Sequence, residues 1–209
     1  MAVISKGILG GFSGKVGTVV GANWRGKDII RSIPTKKNRK ASDLQMIQRM
    51  KFKLVSQFIA PLNQLTSKYF GEYQGAKSRT NLAMSHHLTD AIEEINDQLV
   101  INYSKVVITK GVLPSVNIDS SDIQNDTLEI AWTSSAGVGL AKATDRLIVI
   151  IYSKTHNLFH VVEDSATRAD GAVSTPMPNA WPVGDNSVWI CLIDEKGKLC
   201  STSEYLGDL

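Results

Sequence analysis

Residues 15–33 read KVGTVVGANWRGKDIIRSI. Two β-prone runs, Lys15–Gly21 and Asp28–Ile33, flank Asn23-Trp24-Arg25-Gly26-Lys27, where turn chemistry is concentrated. The stretch therefore predicts a β-hairpin, with Gly26 able to supply the positive φ of a tight loop. A two-stranded hairpin is marginal in water by itself. This one has to lie on another surface, of its own chain or of a second copy, and edge-strand pairing permits both. Val16, Val19, Trp24, Arg25, Ile29, Ile30 and Arg31 are the residues expected to form such an assembly interface.

Seven of the sixteen glycines precede Arg31, which raises the question of a phosphate loop. The P-loop spacing needs glycine five positions before Gly14 and a hydroxyl after Lys15; the chain has Leu9 and Val16 there, so both ends fail. No nucleotide site is expected. A secretion signal needs an unbroken apolar core of 7–15 residues, and glycine or lysine interrupts every apolar run here. No classical export route is encoded, so synthesis is expected in the cytoplasm, with later release as part of a particle or filament left open. The longest apolar run, Leu147–Tyr152, is far below the roughly 20 residues of a membrane helix, and no membrane span is expected.

Outward from the hairpin, charge is unevenly distributed. Residues 1–55 carry twelve Lys or Arg against two acids, and the remainder carries eleven bases against eighteen acids, although the net charge is only +3. Such a chain can bind an acidic polymer or the acidic end of a neighbouring copy. Pro34–Lys40 is a basic connector. Lys36, Lys37, Arg39 and Lys40 are its candidate nucleic-acid contacts, but the aromatic interleaving that base stacking requires is thin, with Trp24 and Phe52 the nearest rings.

Ser42-Asp43-Leu44-Gln45 reads as a capping box. Ile47, Met50, Leu54, Val55, Phe58, Ile59 and Leu62 then follow with helical spacing until Pro61 ends or kinks the helix. A second helix is expected from Ser78 to Leu99 on the stripe Met84, Leu88, Ile92, Ile95, Leu99. His86 and His87 point about 100° apart on it, cannot share an ion as an i, i+4 pair can, and are expected at the surface.

Beyond Tyr103 short β-prone runs recur between turn signals: Val106–Ile108, Leu128–Trp132, Leu147–Tyr152, Leu158–Val162, Ser187–Ile193 and Leu199–Tyr205. That spacing predicts a β-sandwich of the immunoglobulin or fibronectin type III kind. Trp132 is expected inward, and Trp189 facing away from Cys191. Asp194–Lys198 reads as a hairpin tip. Cys191 and Cys200 fall in neighbouring strands; free thiols are the expectation, with a bridge left open. No nucleophile elbow, metal-ligand cluster or carboxylate pair stands out, so no catalytic residue, metal or cofactor is assigned. Two glycosylation sequons, at Asn102 and Asn125, matter only for an exported chain.

Gly7–Pro34, followed by Gln45, Gln48-Arg49 and Lys51-Phe52, resembles the N-terminal signature of a domain-of-unknown-function family common in Bacteroidota. Asn81–Ser85, Asn102–Val106, Lys110–Pro114, Trp132-Thr133, Gly137–Gly139 and Ala141–Asp145 extend the resemblance along nearly the whole chain. The opening is also similar to those of phage-associated and other repetitive structural proteins.

The expected fold is α+β. Residues 1–40 form a glycine-rich basic hairpin arm and linker, 41–101 a two-helix segment and 102–209 the sandwich. The expected function is non-enzymatic: a structural subunit that forms a homo-oligomer through its arm, as in a filament, tube or virion-like particle. A nucleic-acid-associated protein is the alternative, and no small-molecule substrate is expected.

Overall fold

A computed structural model describes residues 2–3, 12–24, 26–34, 40–72, 75, 77–178 and 181–209. Arg25, Lys36, Lys37 and Arg39, named above, lie outside the described residues. The chain mixes α and β structure and divides into two units, Met1–Gln45 and Met46–Leu209.

In the N-terminal unit, β1 (Ala2–Val3), β2 (Gly14–Val16), β3 (Val19–Trp24) and β4 (Lys27–Ser32) form an antiparallel sheet in the order β1-β4-β3-β2. The expected hairpin is β3–β4, with Asn23 opposite Asp28 and Trp24 opposite Lys27. Asn23 locks its turn from both sides. Its Nδ2 donates to Asp28 Oδ1 at 2.9 Å, and its Oδ1 accepts from the Gly26 N–H at 3.1 Å. The run Lys15–Gly21 is not one strand, however. Gly17, at φ 57°, turns the chain so that Val16 pairs with Val19. Glycine tolerates that left-handed geometry without a Cβ clash, and a hairpin becomes part of a four-stranded sheet.

Helix α1 (Asp43–Ile59) starts at the expected capping box: the Ser42 N–H donates to Gln45 Oε1 at 3.3 Å, and the Gln45 N–H donates to Ser42 Oγ at 3.4 Å. Pro61 sits in the 3-10 turn Ala60–Leu62 that closes it, and α2 (Asn63–Tyr69) follows. The Ser78 side chain caps α3 (Arg79–Asp90) by accepting from the Asn81 N–H.

The second helix is shorter than the sequence predicts. It stops at Asp90, and β5 (Ile92–Ile95) pairs with β6 (Gln98–Ile101) as a separate hairpin. Asn96 and Asp97 make the two-residue loop, at φ 50° and 60°. Positive φ at both central positions is the type I′ signature, and Asn and Asp are among the residues that accept it.

The remaining strands are β7 (Asn117–Gln124), β8 (Thr127–Thr133), β9 (Arg146–Ser153), β10 (Leu158–Thr167), β11 (Ala172–Pro176), β12 (Asn186–Ile193) and β13 (Glu204–Asp208). They build two antiparallel sheets, β11-β8-β7 and β10-β9-β12-β13. Val106–Ile108 is not a strand, and of Leu199–Tyr205 only the last two residues enter β13. Central strands β9 and β12 are buried almost throughout. Alternation explains why they read as continuous apolar runs. Leu147, Val149, Ile151, Val188, Ile190 and Leu192 face a core shared with Leu128, Ile130, Trp132 and Val173 of the three-stranded sheet. Ile148, Ile150, Trp189, Cys191 and Ile193 face the opposite core, shared with Val55, Phe58, Ile59, Leu62, Leu65 and Tyr69 of the helical segment. Trp189 and Cys191 are two residues apart and share that face, contrary to expectation; Trp132 is inward as expected.

One buried ion pair ties the loops together. Arg168 Nε donates to Asp145 Oδ2 at 3.0 Å, both side chains being fully buried. Its Nη1 reaches Ser135 Oγ at 2.7 Å and the Ser115 carbonyl at 3.1 Å, and its Nη2 the Pro114 carbonyl at 2.6 Å. Trp132 Nε1 donates to the Arg168 carbonyl at 3.1 Å. A second stitch runs past Gly111, where any Cβ would collide with the Cys200 carbonyl. That absence lets the Leu113 N–H bond the same carbonyl at 2.9 Å.

Candidate functional site

Strand register separates the six described members of the expected interface into two sets. Side chains alternate along a strand and directly paired residues share a face. Trp24, Ile29 and Arg31 therefore lie on one face of the sheet, with Lys27 opposite Trp24, and Lys15 opposite Val20, which itself pairs with Arg31. Val16, Val19 and Ile30 lie on the other face. Trp24 is 52% exposed and Val16 58%, whereas Ile29 is buried. The Trp24 end of the hairpin thus presents a large aromatic surface beside a cation. Lys40, the described member of the basic connector set, is exposed.

Helix α1 changes character along its length. Its apolar stripe enters the core at Val55, Phe58 and Ile59. The same stripe runs back through Ile47 and Leu44 at helical spacing, and there it is exposed, as are Met46, Met50 and Phe52. Among the described residues, eight of the fifteen exposed large apolar side chains fall between Val3 and Phe52. Isolated exposed apolar residues are ordinary, whereas contiguous patches of them mark interaction surfaces.

The C-terminal unit carries a cleft of about 520 Å³, within the usual range for ligand pockets. Its wall is aromatic. Phe58 meets Tyr152 edge-on at 5.2 Å and Phe159 at 5.1 Å, Tyr152 and Phe159 lie 4.6 Å apart, and Tyr103 stands 5.5 Å from Tyr152. Gln57 and Asn157 supply polar groups at the lining, and the Tyr152 hydroxyl donates to Asn157 Oδ1 at 2.5 Å. Burial raises the Tyr103 and Tyr152 phenols above their usual range, and the carboxylate of Asp185 adds to both, with Asp208 also acting on Tyr103. Both phenols are neutral donors at physiological pH.

A smaller cavity of about 260 Å³ is ringed by Lys68, Arg79, Lys110 and Lys198, with Glu72 the acid among them. Cys200 forms part of its wall, and both cysteines are free and buried. Burial pushes Cys191 up to about 12 and Cys200 up to about 11. Thiols so raised are poor nucleophiles.

His87 is buried rather than at the surface, correcting the expectation; His86 remains partly exposed and pairs with Asp90 at 2.8 Å. Residues 83 and 87 are one turn apart, so His87 Nδ1 meets the Ala83 carbonyl at 2.7 Å, and burial lowers its pKa. Among the described residues no group of three or more His, Cys, Asp or Glu could hold a metal ion, and no helix is long and apolar enough to cross a membrane.

The aromatic cleft had no readable signal in the sequence. Phe58, Tyr103, Tyr152 and Phe159 come from α1, a 3-10 turn and two strands, and only the fold gathers them.

Residues 11–207 match a family of unknown function, DUF6266, and the chain belongs to that family. No curated protein and no solved structure matches it.

Proposed function

We propose that this member of the family is a non-enzymatic structural subunit that self-associates through its N-terminal region, building a filament, tube or particle from identical copies. The carrying observation is the run of exposed apolar side chains on the first half of α1, together with the exposed Trp24 on the hairpin. The basic front and acidic remainder of the chain support association of unlike ends, since complementary fields steer encounter.

The strand order supports reading the sheets β11-β8-β7 and β10-β9-β12-β13 as a sandwich of the immunoglobulin or fibronectin type III kind. Lettered A to G along the chain, the strands stand in the orders A-B-E and D-C-F-G. The immunoglobulin constant arrangement differs in placing the fourth strand beside E. Sandwiches of this kind serve many roles, so the functional reading rests on the exposed surface and not on the fold.

Light scattering coupled to size-exclusion chromatography, followed by negative-stain imaging, tests the reading. The expected result is concentration-dependent association that Ile47→Ser combined with Met50→Ser weakens, with the melting temperature unchanged. A monodisperse monomer at high concentration overturns it.

A further inference from the structure

We infer that the aromatic cleft of the C-terminal unit is the receptor for Trp24 of a second copy. This rests on the self-association reading and names its acceptor. Trp24 stands at the end of the β3–β4 hairpin with half its surface in solvent. Tryptophan is enriched among the few interface residues that dominate binding, and such anchors fill well-packed pockets on the partner.

The cleft has the matching properties. At about 520 Å³ it has room for an indole, and Phe58, Tyr103, Tyr152 and Phe159 offer ring edges and faces for it. Offset and edge-on aromatic contacts contribute beyond the area they bury. An indole N–H needs an acceptor once it leaves water, and the side-chain carbonyls of Gln57 and Asn157 lie at the lining. Charge agrees as well. Lys27 is Trp24's cross-strand neighbour, and Lys15 and Arg31 share its face, while Asp185 and Asp208 act on the cleft's tyrosines. Lys154 pairs with Asp208, stands 5.2 Å over the Tyr103 ring and also acts on Asp185, so it offsets part of that field and leaves two carboxylates against one cation.

Donor and acceptor are different patches of the same chain, so the contact is heterologous. Heterologous contacts propagate into rings or open filaments, whereas an isologous contact stops at a dimer.

Two full-length variants test this. Trp24→Ala removes the donor. Gln57→Trp, at an exposed position of α1, lays an indole across the acceptor; Gln57→Ala is its control. Each of the first two should stay monomeric where the unaltered chain associates, a weakening of about thirtyfold or more for an anchor of this kind. Gln57→Ala, which gives up one of the two acceptors but fills nothing, should weaken association far less than Gln57→Trp does. Mixed in equal amounts, Trp24→Ala and Gln57→Trp should form a 1:1 pair that does not grow, because together they retain one intact donor and one intact acceptor. Thermal melts showing both variants folded make the comparison clean. Gln57→Trp associating like the unaltered chain, while Trp24→Ala does not, would place the receptor elsewhere and overturn this inference alone. A mixture of folded variants that stays monomeric overturns the head-to-tail arrangement. Failure of the unaltered chain to associate removes both this inference and the reading beneath it.

Discussion

At the level of single residues, the buried Arg168 bears directly on stability. Its guanidinium neutralises a fully buried Asp145 and at the same time holds the carbonyls of Pro114 and Ser115 and the hydroxyl of Ser135. Removing one partner of a buried pair strands the other charge, at a cost of about 3–5 kcal/mol. Arg168→Ala should lose that much in urea denaturation. Arg168→Lys should also lose stability, because a point charge cannot reproduce the planar fork. His87 gives the protein a mild acid sensitivity. Burial holds its folded-state pKa below the ordinary 6.5, so above that pH the imidazole is neutral in both folded and unfolded chains. As pH falls below 6.5 the unfolded chain takes up the proton first, and stability declines until the folded histidine also protonates. The depressed carboxylates, Glu93 and Asp170 among them, begin to act only nearer pH 4. Melting temperature should therefore fall between pH 7 and pH 5, and His87→Gln should flatten that slope. None of this was legible beforehand. Arg168 is one base among twenty-three, and a histidine on a helix reads as exposed until its surroundings are known.

Elements differ in how openly the sequence declares them. Leu147–Tyr152 is unmistakable because both of its faces are buried. Strand β7, NIDSSDIQ, is the opposite case: it is mostly exposed and polar, pairs on one side with β8, and carries a bulge between Ile118 and Ser120. No alternation marks it. The β5–β6 hairpin hid for another reason. Ile92, Ile95 and Leu99 fit a helical stripe, and the decision belongs to Asn96 and Asp97, whose left-handed geometry no helix interior accepts. Asn96→Val should accordingly cost about 1–3 kcal/mol, the range for a residue forced into that region. Asp97→Gly should be neutral or slightly stabilising, since Asn-Gly is the preferred pair for this turn. Chemical denaturation of the two variants checks both signs. In α1 the capping box and stripe were readable to the residue. That the stripe outruns its core was not, because periodicity reveals a face and not what covers it.

Across the whole molecule, charge separates the two readings of the basic N-terminal region. A protein using Arg25, Lys27, Lys36, Lys37, Arg39 and Lys40 on duplex DNA should show log affinity falling against log salt with a slope of about −4 to −6, from roughly −0.9 per phosphate neutralised. We expect no measurable DNA binding at physiological salt by fluorescence anisotropy. Sub-micromolar binding with that slope would favour the nucleic-acid reading instead. Self-association should weaken only modestly with salt, because apolar burial is not screened.

The central pairing of β9 with β12 also sets a timescale. Its closest partners, Ser153 and Asn186, are 33 positions apart, and its most distant, Arg146 and Ile193, are 47 apart. Both strands supply apolar residues to the two cores, so neither core is complete until that wide loop has closed. Loop closure has to be met before the contacts it enables give anything back, and chains dominated by such non-local pairings fold in milliseconds to seconds. Throughout that interval the β9 run LIVIIY has one unsatisfied edge, the one β12 will cover, because β10 can pair with the other as a local hairpin. A newly made chain is then most vulnerable to sticking to its neighbours in the wrong way, and crowded synthesis would select for chaperone capture of this one segment.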